Sequence, residues 1–211
     1  MKINNKKKSF LKENYSKSFT GSLVSQYGKS WKYIKESKNF IYAILIIFFL
    51  FILIGAFVPT PGILEQKILE IIEELLRKTE NMSAAALVKF IFFNNLQSSF
   101  LGLFLGIGFG FFSLATGIIN GYILGFVILR SVRVEGVLVL WRLLPHGIFE
   151  LPALFISLGL GLRLGTFIFK KNKMEALRKY FFESVRVFVF VIFPLLLVAA
   201  IIEGSLIFLF R

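Results

Sequence analysis

Forty consecutive residues without a charge decide the fold: 90-FIFFNNLQSSFLGLFLGIGFGFFSLATGIINGYILGFVIL-129, between Lys89 and Arg130. An α-helix rises about 1.5 Å per residue, so one helix of this length would be about 60 Å long, twice the thickness of the hydrocarbon core of a bilayer. The stretch therefore predicts two membrane spans. We expect the turn that joins them near 111-FFSLAT-116.

The sequence on either side is similarly apolar. The uncharged run 40-FIYAILIIFFLFILIGAFV-58 is long enough for a span of its own. Hydrophobic residues make up 56% of the chain, above the roughly 45–50% of soluble domains. The predicted fold is an all-α polytopic transmembrane helix bundle, with spans at about 40–58, 90–110, 115–130, 145–169 and 185–210.

Residues 61–80 predict an amphipathic helix between the first two spans. Thr60 suits an N-cap and Pro61 the first helical position, while Ser83 suits the cap of the helix that follows. A helix of this kind beside a span is expected to lie in the membrane interface, and the alternative is a solvent-exposed site for a partner. Its apolar stripe consists of Leu64, Ile68, Ile71, Ile72 and Leu75.

The net charge of +13 is concentrated at the ends of spans. Residues 1–39 contain ten lysines and two glutamates and predict a basic cytoplasmic tail that binds anionic lipid head groups, with no nucleic acid as partner. Five spans place the basic segment 170–183 on the same side as this tail. We therefore expect a multi-pass protein of the cell membrane, with its N-terminus cytoplasmic and its C-terminus extracytoplasmic.

Ionisable and amide side chains within spans are costly, so each is a candidate functional residue. His146 and Glu150 are spaced i, i+4 and are expected on one helical face, in a helix that starts at Pro145 and is disturbed at Pro152. Three interpretations stand: a buried hydrogen-bonded cluster that fixes helix packing, an ion or solute path, or a metal site. The last would use one imidazole and the carboxylates of Glu150 and Glu203. Because the chain has no cysteine and one histidine, we expect neither a metal nor a cofactor. The polar residues are Asn94, Asn95, Asn120, Arg142, His146, Glu150, Arg163 and Glu203.

Glycines recur every four residues on both sides of the expected turn. Such small residues let two helix backbones approach closely in lipid. Packing between the two helices of the hairpin is the first interpretation, and a homodimer seam is the alternative. The helix-packing candidates are Gly102, Gly106, Gly110, Gly117, Gly121, Gly125, Gly161 and Gly165.

Taken with 161-GLRLG-165, the element 144-LPHGIFELPA-153 resembles the signature of the stage II sporulation protein M family of integral membrane proteins. The likeness extends over residues 40–210 through 92-FFNN-95, 120-NG-121 and 199-AAIIEGS-205. It implies a membrane component that associates with envelope partners, since the family's namesake acts in spore engulfment beside proteins that remodel peptidoglycan. It supplies no catalytic residues. The matching polar and small residues are Asn94, Asn95, Asn120, His146, Gly147, Glu150, Pro152, Gly161, Glu203 and Gly204.

Two functions follow as hypotheses. The first is a non-enzymatic membrane scaffold or assembly component, with membrane or envelope proteins as partners. The alternative is a small oligomeric ion channel or transporter that uses the intramembrane His/Glu cluster. They differ in whether a polar cavity reaches Glu150 and His146.

Overall fold

The computed structural model describes residues 21–143 and 146–209, apart from the side chains of residues 141–143, 146 and 147. Residues 1–20 of the predicted tail and the expected helix start at Pro145 lie outside the described residues. The α-helices are α1 (21–36), α2 (Lys38–Phe57), α3 (Gly62–Thr79), α4 (Ala84–Phe104), α5 (Phe111–Glu135), α6 (Leu151–Gly165), α7 (Lys173–Val187) and α8 (Phe193–Leu209). Short 3-10 segments cover Leu105–Ile107, Val137–Leu143 and Thr166–Phe169, and π turns cover His146–Glu150 and Phe188–Ile192.

Five helices are long and apolar enough to cross a membrane, and no strand occurs in the described ranges. The prediction of an all-α bundle with about five spans is confirmed. The spans are Lys38–Phe57, Ala84–Ile107, Phe111–Glu135, Ile148–Phe169 and Lys173–Leu209. The last joins α7, a π turn and α8, so the basic segment after residue 172 belongs to the same rod as the fifth span.

The fourth span is the centre of the bundle. In its apolar window 56% of the residues are buried, compared with 17% in the first span. Helix α6 packs against α2, α4 and α5, while α2 pairs with α5 and α4 with α8. Leu158, Leu160 and Leu164 of α6 have no exposed surface, because helices surround α6 on all sides. The apolar core therefore forms around one helix.

The turn between the second and third spans comes earlier than predicted. Helix α5 already begins at Phe111, so the reversal occupies residues 108–110 rather than 111–116. Phe109 and Gly110 adopt left-handed backbone conformations, with φ of 61° and 75°. Glycine takes this conformation without strain, which suits position 110. The sequence did not reveal the position of the turn, because several glycines lie close together and each could adopt a left-handed backbone conformation.

The two glycine series do not pack against each other. A Cβ added at Gly121 would lie 2.5 Å from the Phe48 carbonyl oxygen, and one at Gly125 would overlap the Ile52 carbonyl, so the second series faces α2. The first series faces α6 instead, and it is not one α-helical stripe because Gly106 lies in a 3-10 turn. The expectation of packing within the hairpin is therefore wrong. Neighbouring α6 residues are Leu158 at Gly102, Gly161 at Gly106 and Leu162 at Gly110, and Gly161 and Gly165 form the other side of this contact.

Part of the predicted basic tail belongs to the bundle. Residues 21–36 are helical, and Tyr33 and Ile34 are buried in the same core as α6 and α7. The ring of Tyr27 packs edge-on against Phe190, with centroids 5.5 Å apart. The packed part of the chain therefore starts well before residue 40, and the lysines of α1 are on the outside of an anchored helix.

Two prolines of the described spans, Pro152 and Pro194, each follow a π-helical turn. Pro152 lies in the first turn of α6, two residues after His146–Glu150, and Pro194 is the second residue of α8, after Phe188–Ile192. Glu150 already has helical backbone dihedrals, and the fourth span begins at Ile148, so both prolines lie inside continuous helical rods and cannot donate a backbone hydrogen bond there. The fourth-span helix is irregular just before Pro152, in line with the disturbance that the sequence predicts.

Candidate functional site

A partly open cavity of about 320 Å³, the polar cavity, lies between α3, α4, α5, α6 and α8. It brings together five of the predicted polar residues, which come from four different segments of the chain: Asn94, Asn95, Asn120, Glu150 and Glu203. The remaining lining residues are Leu75, Leu76 and Thr79 of α3, Leu87, Phe90, Ile91, Ser98 and Ser99 of α4, Leu154 of α6 and Ile207 of α8. The polar face is therefore not sealed by apolar packing.

Glu150 is the most deeply buried acid of the cavity, with 8% of its surface exposed. The π turn His146–Glu150 brings it to the start of α6, where Asn95 of α4 donates a short hydrogen bond to its Oε2. Burial of a carboxylate is costly unless it is hydrogen-bonded, and hydrogen bonds to a charged acceptor are the strong ones. The pair therefore fixes α4 against the start of α6.

The side-chain amides of Asn94 and Asn120 also donate hydrogen bonds to protein acceptors. Asn94 donates from Nδ2 to Oδ1 of Asn95 over 3.2 Å. Across the cavity, Asn120 donates from Nδ2 to the carbonyl oxygen of Thr116, over 2.8 Å, within its own helix. Each of the three amide groups thus uses its NH₂ on a protein acceptor.

The cavity ends at a layer of cross-helix hydrogen bonds. Ser157 of α6 donates to the carbonyl oxygen of Ser99 over 2.6 Å, and Ser113 of α5 donates to that of Gly102 over 2.7 Å. Leu103, one turn after Ser99, and Leu158, next to Ser157, have no exposed surface. In the described part of the chain the polar cavity is therefore closed at this end.

Helix α3 crosses over the other end of the bundle. Leu75, Leu76 and Thr79 near its end line the cavity, while Glu65 near its start forms an ion pair with Arg130 of α5. The predicted N-cap at Thr60 is wrong, because α3 begins at Gly62 and the Thr60 hydroxyl lies 2.9 Å from that of Tyr122. The predicted cap at Ser83 is confirmed, since its Oγ accepts from the Ala86 N–H at 3.3 Å.

Arg163 is not part of the polar cavity. It lies thirteen residues after Glu150, about 20 Å along the fourth span. Its Nη1 donates to Oγ of Ser37 over 2.7 Å, and its guanidinium carbon lies 4.3 Å from the ring centre of Tyr33. The sequence analysis grouped Arg163 with Glu150 and Glu203, and the structure separates it from them. Arg163 holds the α1–α2 junction against α6, and we call this group the arginine clamp: Tyr33, Glu36, Ser37, Arg163 and Tyr180.

Tyr33 of the arginine clamp is buried and uncharged. The Tyr33 side chain is almost fully enclosed, and burial raises its pKa to about 12, although the neighbouring Arg163 acts in the opposite direction. Tyr33 therefore stays neutral at physiological pH. Its ring faces the guanidinium as an uncharged partner, which is the arrangement that favours a cation–π contact.

The pairing of His146 with Glu150 remains a prediction. The side chains of His146 and Arg142 lie outside the described residues. The backbone at residue 146 is a π turn, so the α-helical i, i+4 geometry on which the pairing rested does not apply there. Among the described residues no group of three His, Cys, Asp or Glu side chains could hold a metal ion.

Sequence reasoning missed two contributions to these sites. Ser98 and Ser99 line the cavity, but serines in spans normally bond to helical carbonyls and gave no separate signal. The arginine clamp depends on Tyr33 and Ser37, which lie in the segment that the sequence analysis treated as a tail. The buried positions 30, 33, 34 and 37 have helical spacing, but two of them are serines and Trp31 between them is exposed, so the sequence contains no clear apolar stripe there.

Comparison with known proteins identifies a protein family that the chain matches. Residues 44–206 match the family described as Stage II sporulation protein M. An uncharacterised protein of Methanocaldococcus jannaschii is 32% identical over 176 residues, which are 80% of this chain and 78% of that protein. No solved structure matches the chain. The matched region includes Arg163 and every lining residue of the polar cavity except Ile207.

Proposed function

Because the chain belongs to the stage II sporulation protein M family, we propose that it is a non-enzymatic membrane scaffold or assembly component. The observation that carries this proposal is the closed packing around α6 beyond the polar cavity. Leu158, Leu160 and Leu164 have no exposed surface there, and glycine contacts bring α2, α4 and α5 against one another's backbones or against α6. A bundle fixed in this way is suited to presenting a surface rather than opening a passage.

Helix α3 offers the surface for association. Ile68 is buried, whereas Ile63, Ile71 and Leu76 expose more than half of their surfaces beside it. Exposed apolar side chains on an otherwise charged helix are typical of a contact with another protein or with the membrane. We assign it to a membrane or envelope protein, or to a second copy of the chain.

Photocrosslinking in native membranes tests the scaffold. A benzoylphenylalanine at Ile71 is expected to give a discrete adduct with another protein or a second copy. The matched control position is Glu74, on the same helix but paired with Lys78 on its charged side, and it is expected to give none. Uncrosslinked monomer from both positions would contradict the proposal.

We propose that α3 lies on the extracytoplasmic side, with the N-terminus cytoplasmic. The basic residues of α1 and α7 support this orientation, since lysine and arginine favour the cytoplasmic ends of spans. The chain contains no cysteine, so single cysteines are clean reporters. A membrane-impermeant maleimide added outside intact cells is expected to label Asn81→Cys and to leave Asn172→Cys unlabelled. The reverse pattern would invert the topology.

A channel or transporter is the second candidate, supported by the access of the polar cavity to Glu150. Ionisable residues that face a cavity inside a membrane often belong to ion or proton paths. This candidate predicts that purified protein in liposomes carries a cation flux and that Glu150→Gln reduces the flux at least tenfold. An absence of flux, or a flux that this substitution does not change, counts against this candidate.

A further inference from the structure

Two contacts set the direction of helix α1. At residue 37 it meets α2, directly before the uncharged run that starts at residue 40. Ten residues earlier, the ring of Tyr27 packs against Phe190 of the fifth span. About 20 residues cross the hydrocarbon core, and such a stretch begins at Phe190 when it is counted back from Leu209. A straight extension of α2 would carry Tyr27 about 15 Å away from the core, so α1 instead lies across the end of the bundle.

The sides of α1 differ in their chemistry. One side is buried in the core that it shares with α6 and α7. Val24, Tyr27 and Trp31 are spaced three and four residues apart, so they share a second side, and each exposes about half of its surface or more. Lys29 and Lys32 are exposed on a third side. The free surface of α1 is therefore aromatic and apolar on one side and basic on another.

Helix α7 contributes to the same end of the bundle. The Tyr33 hydroxyl of α1 donates to the carbonyl oxygen of Tyr180 over 3.5 Å, and the two helices belong to one apolar core. The basic residues in and next to both helices therefore lie near one another. They are Lys29, Lys32, Lys35 and Lys38 around α1 and Lys170, Lys171, Lys173, Arg178 and Lys179 around α7.

The protein leaves these lysines for a partner. In the described part of the chain, no lysine of α1 or of residues 170–179 belongs to an ion pair. The acidic residues nearby are engaged, since Glu36 pairs with Arg163 and Glu175 accepts a hydrogen bond from Asn172. An anionic partner would complement the positive charge that remains.

A bilayer surface that contains anionic lipid matches both free sides of α1. Tyrosine and tryptophan favour the level of the lipid head groups, and lysines close to a membrane surface attract anionic lipids. An amphipathic helix with these two sides is typical of proteins that lie in the membrane interface. Nucleic acid or an acidic protein would complement the lysines but would leave the stripe of Val24, Tyr27 and Trp31 uncovered at the edge of the hydrocarbon core.

We propose that α1 is an interfacial anchor that binds anionic phospholipids. Val24, Tyr27 and Trp31 lie among the head groups, while Lys29 and Lys32, together with the basic residues of α7, bind the lipid phosphates. The sequence analysis expected such a contact from a basic tail, whereas here it belongs to a folded helix that the arginine clamp holds on the bundle. The anchor involves neither α3 nor the polar cavity, so it is independent of the scaffold and channel proposals.

Quenching of Trp31 fluorescence by brominated lipids tests the anchor on the full chain in liposomes. The chain has two tryptophans, so Trp141→Phe leaves Trp31 as the reporter. We expect phosphatidylcholine with bromine near the head group to quench Trp31 more than phosphatidylcholine with bromine near the chain end. At equal mole fractions, brominated phosphatidylglycerol is expected to quench at least about twofold more than brominated phosphatidylcholine, because the lysines collect the anionic lipid around α1.

Two pairs of lysine substitutions remove the same charge at opposite ends of the bundle. Lys29→Gln combined with Lys32→Gln is expected to bring quenching by the two brominated lipids close to parity. The matched control is Lys67→Gln combined with Lys89→Gln, on α3 and α4, and it is expected to keep the preference for phosphatidylglycerol. All four lysines are exposed and form no ion pair within the described ranges, so the fold does not depend on them.

The outcomes decide between the anchor and its alternatives. Equal quenching by the anionic and the neutral lipid in the parent chain, or the same loss of preference in both lysine pairs, would overturn the lipid site. If no brominated lipid quenches Trp31, the aromatic stripe faces water or another protein, which also overturns the proposal. Crosslinked adducts at Ile71 bear only on the scaffold, and flux in liposomes bears only on the channel.

Discussion

Helices α2 and α5 approach each other so closely that adding one methyl group at their contact is expected to push them apart. In Gly121→Ala the new Cβ would lie 2.5 Å from the carbonyl oxygen of Phe48 and 3.3 Å from its Cα. The obstacle is backbone, so it cannot turn aside as a side chain can. Gly117→Ala is the matched control on the same face of α5, because the nearest atoms there are side-chain carbons of Leu158 and Ile44 at 3.7 and 3.8 Å.

The magnitude follows from these distances. Ordinary contact begins at 3.4 Å, so α2 must move away by about 0.9 Å in Gly121→Ala, and overpacking of this kind costs about 1–3 kcal/mol. Both variants gain the higher helix propensity of alanine, worth up to about 1 kcal/mol. We therefore expect Gly121→Ala to be less stable than Gly117→Ala by about 1–3 kcal/mol.

Unfolding by dodecyl sulfate in mixed micelles measures the difference, with tryptophan fluorescence as the reporter of tertiary structure. The free energy of unfolding of Gly117→Ala is expected at or slightly above that of the parent chain, and that of Gly121→Ala below it. If the two variants unfold at the same detergent fraction, the close approach of α2 and α5 does not hold in solution. Gly125→Ala tests the same contact a second time, because its new Cβ would overlap the backbone of Ile52, and it is also expected to lower the free energy of unfolding.

Three further predictions concern the arginine clamp and α3. Arg163→Gln removes a partly buried charged donor and two aromatic contacts and is expected to lower the free energy of unfolding by about 2–4 kcal/mol, whereas Arg178→Gln on the exposed side of α7 changes it by less than about 0.5 kcal/mol. The raised pKa of Tyr33 means that the folded chain keeps a proton that the unfolded chain releases, so the contribution of Tyr33 to stability is complete below pH 10 and is lost between pH 10 and about 12. Tyr33→Phe is expected to remove this contribution to the alkaline fall in stability, measured by unfolding at each pH beside the phenolate absorbance. Ile68→Ala in α3 is expected to cost about 2–4 kcal/mol in the same assay and Ile71→Ala less than about 0.5 kcal/mol, because only the first is buried; equal losses would contradict the placement of α3.

The number and type of spans could be predicted because hydrocarbon thickness leaves few choices. A run of forty uncharged residues must reverse once, whatever its neighbours are. The position of the reversal depends on which glycine adopts a left-handed backbone. Gly102, Gly106, Gly108 and Gly110 all permit it, so the sequence pattern could not select residues 108–110.

The polar cavity was partly predictable for a similar reason. Polar residues in spans avoid lipid, so Asn95, Glu150 and Glu203 were expected to face inwards, and the structure brings them to one cavity. Arg163 satisfies the same rule with different partners at the opposite end of α6. Periodicity tells which residues are on one face of a helix, but it does not tell which helix packs on that face.

The length of the fifth span has a structural consequence. Lys173–Leu209 is one continuous rod of 37 residues, about 55 Å long and nearly twice the hydrocarbon thickness. Its only irregular section is the π-helical turn Phe188–Ile192. The half beyond this turn packs along α4, where a Cβ added at Gly204 would lie 2.9 Å from the backbone nitrogen of Val88. Because about 20 residues cross the hydrocarbon core, the rest of the rod extends the helix beyond the membrane surface without a break in the backbone hydrogen bonding of a loop.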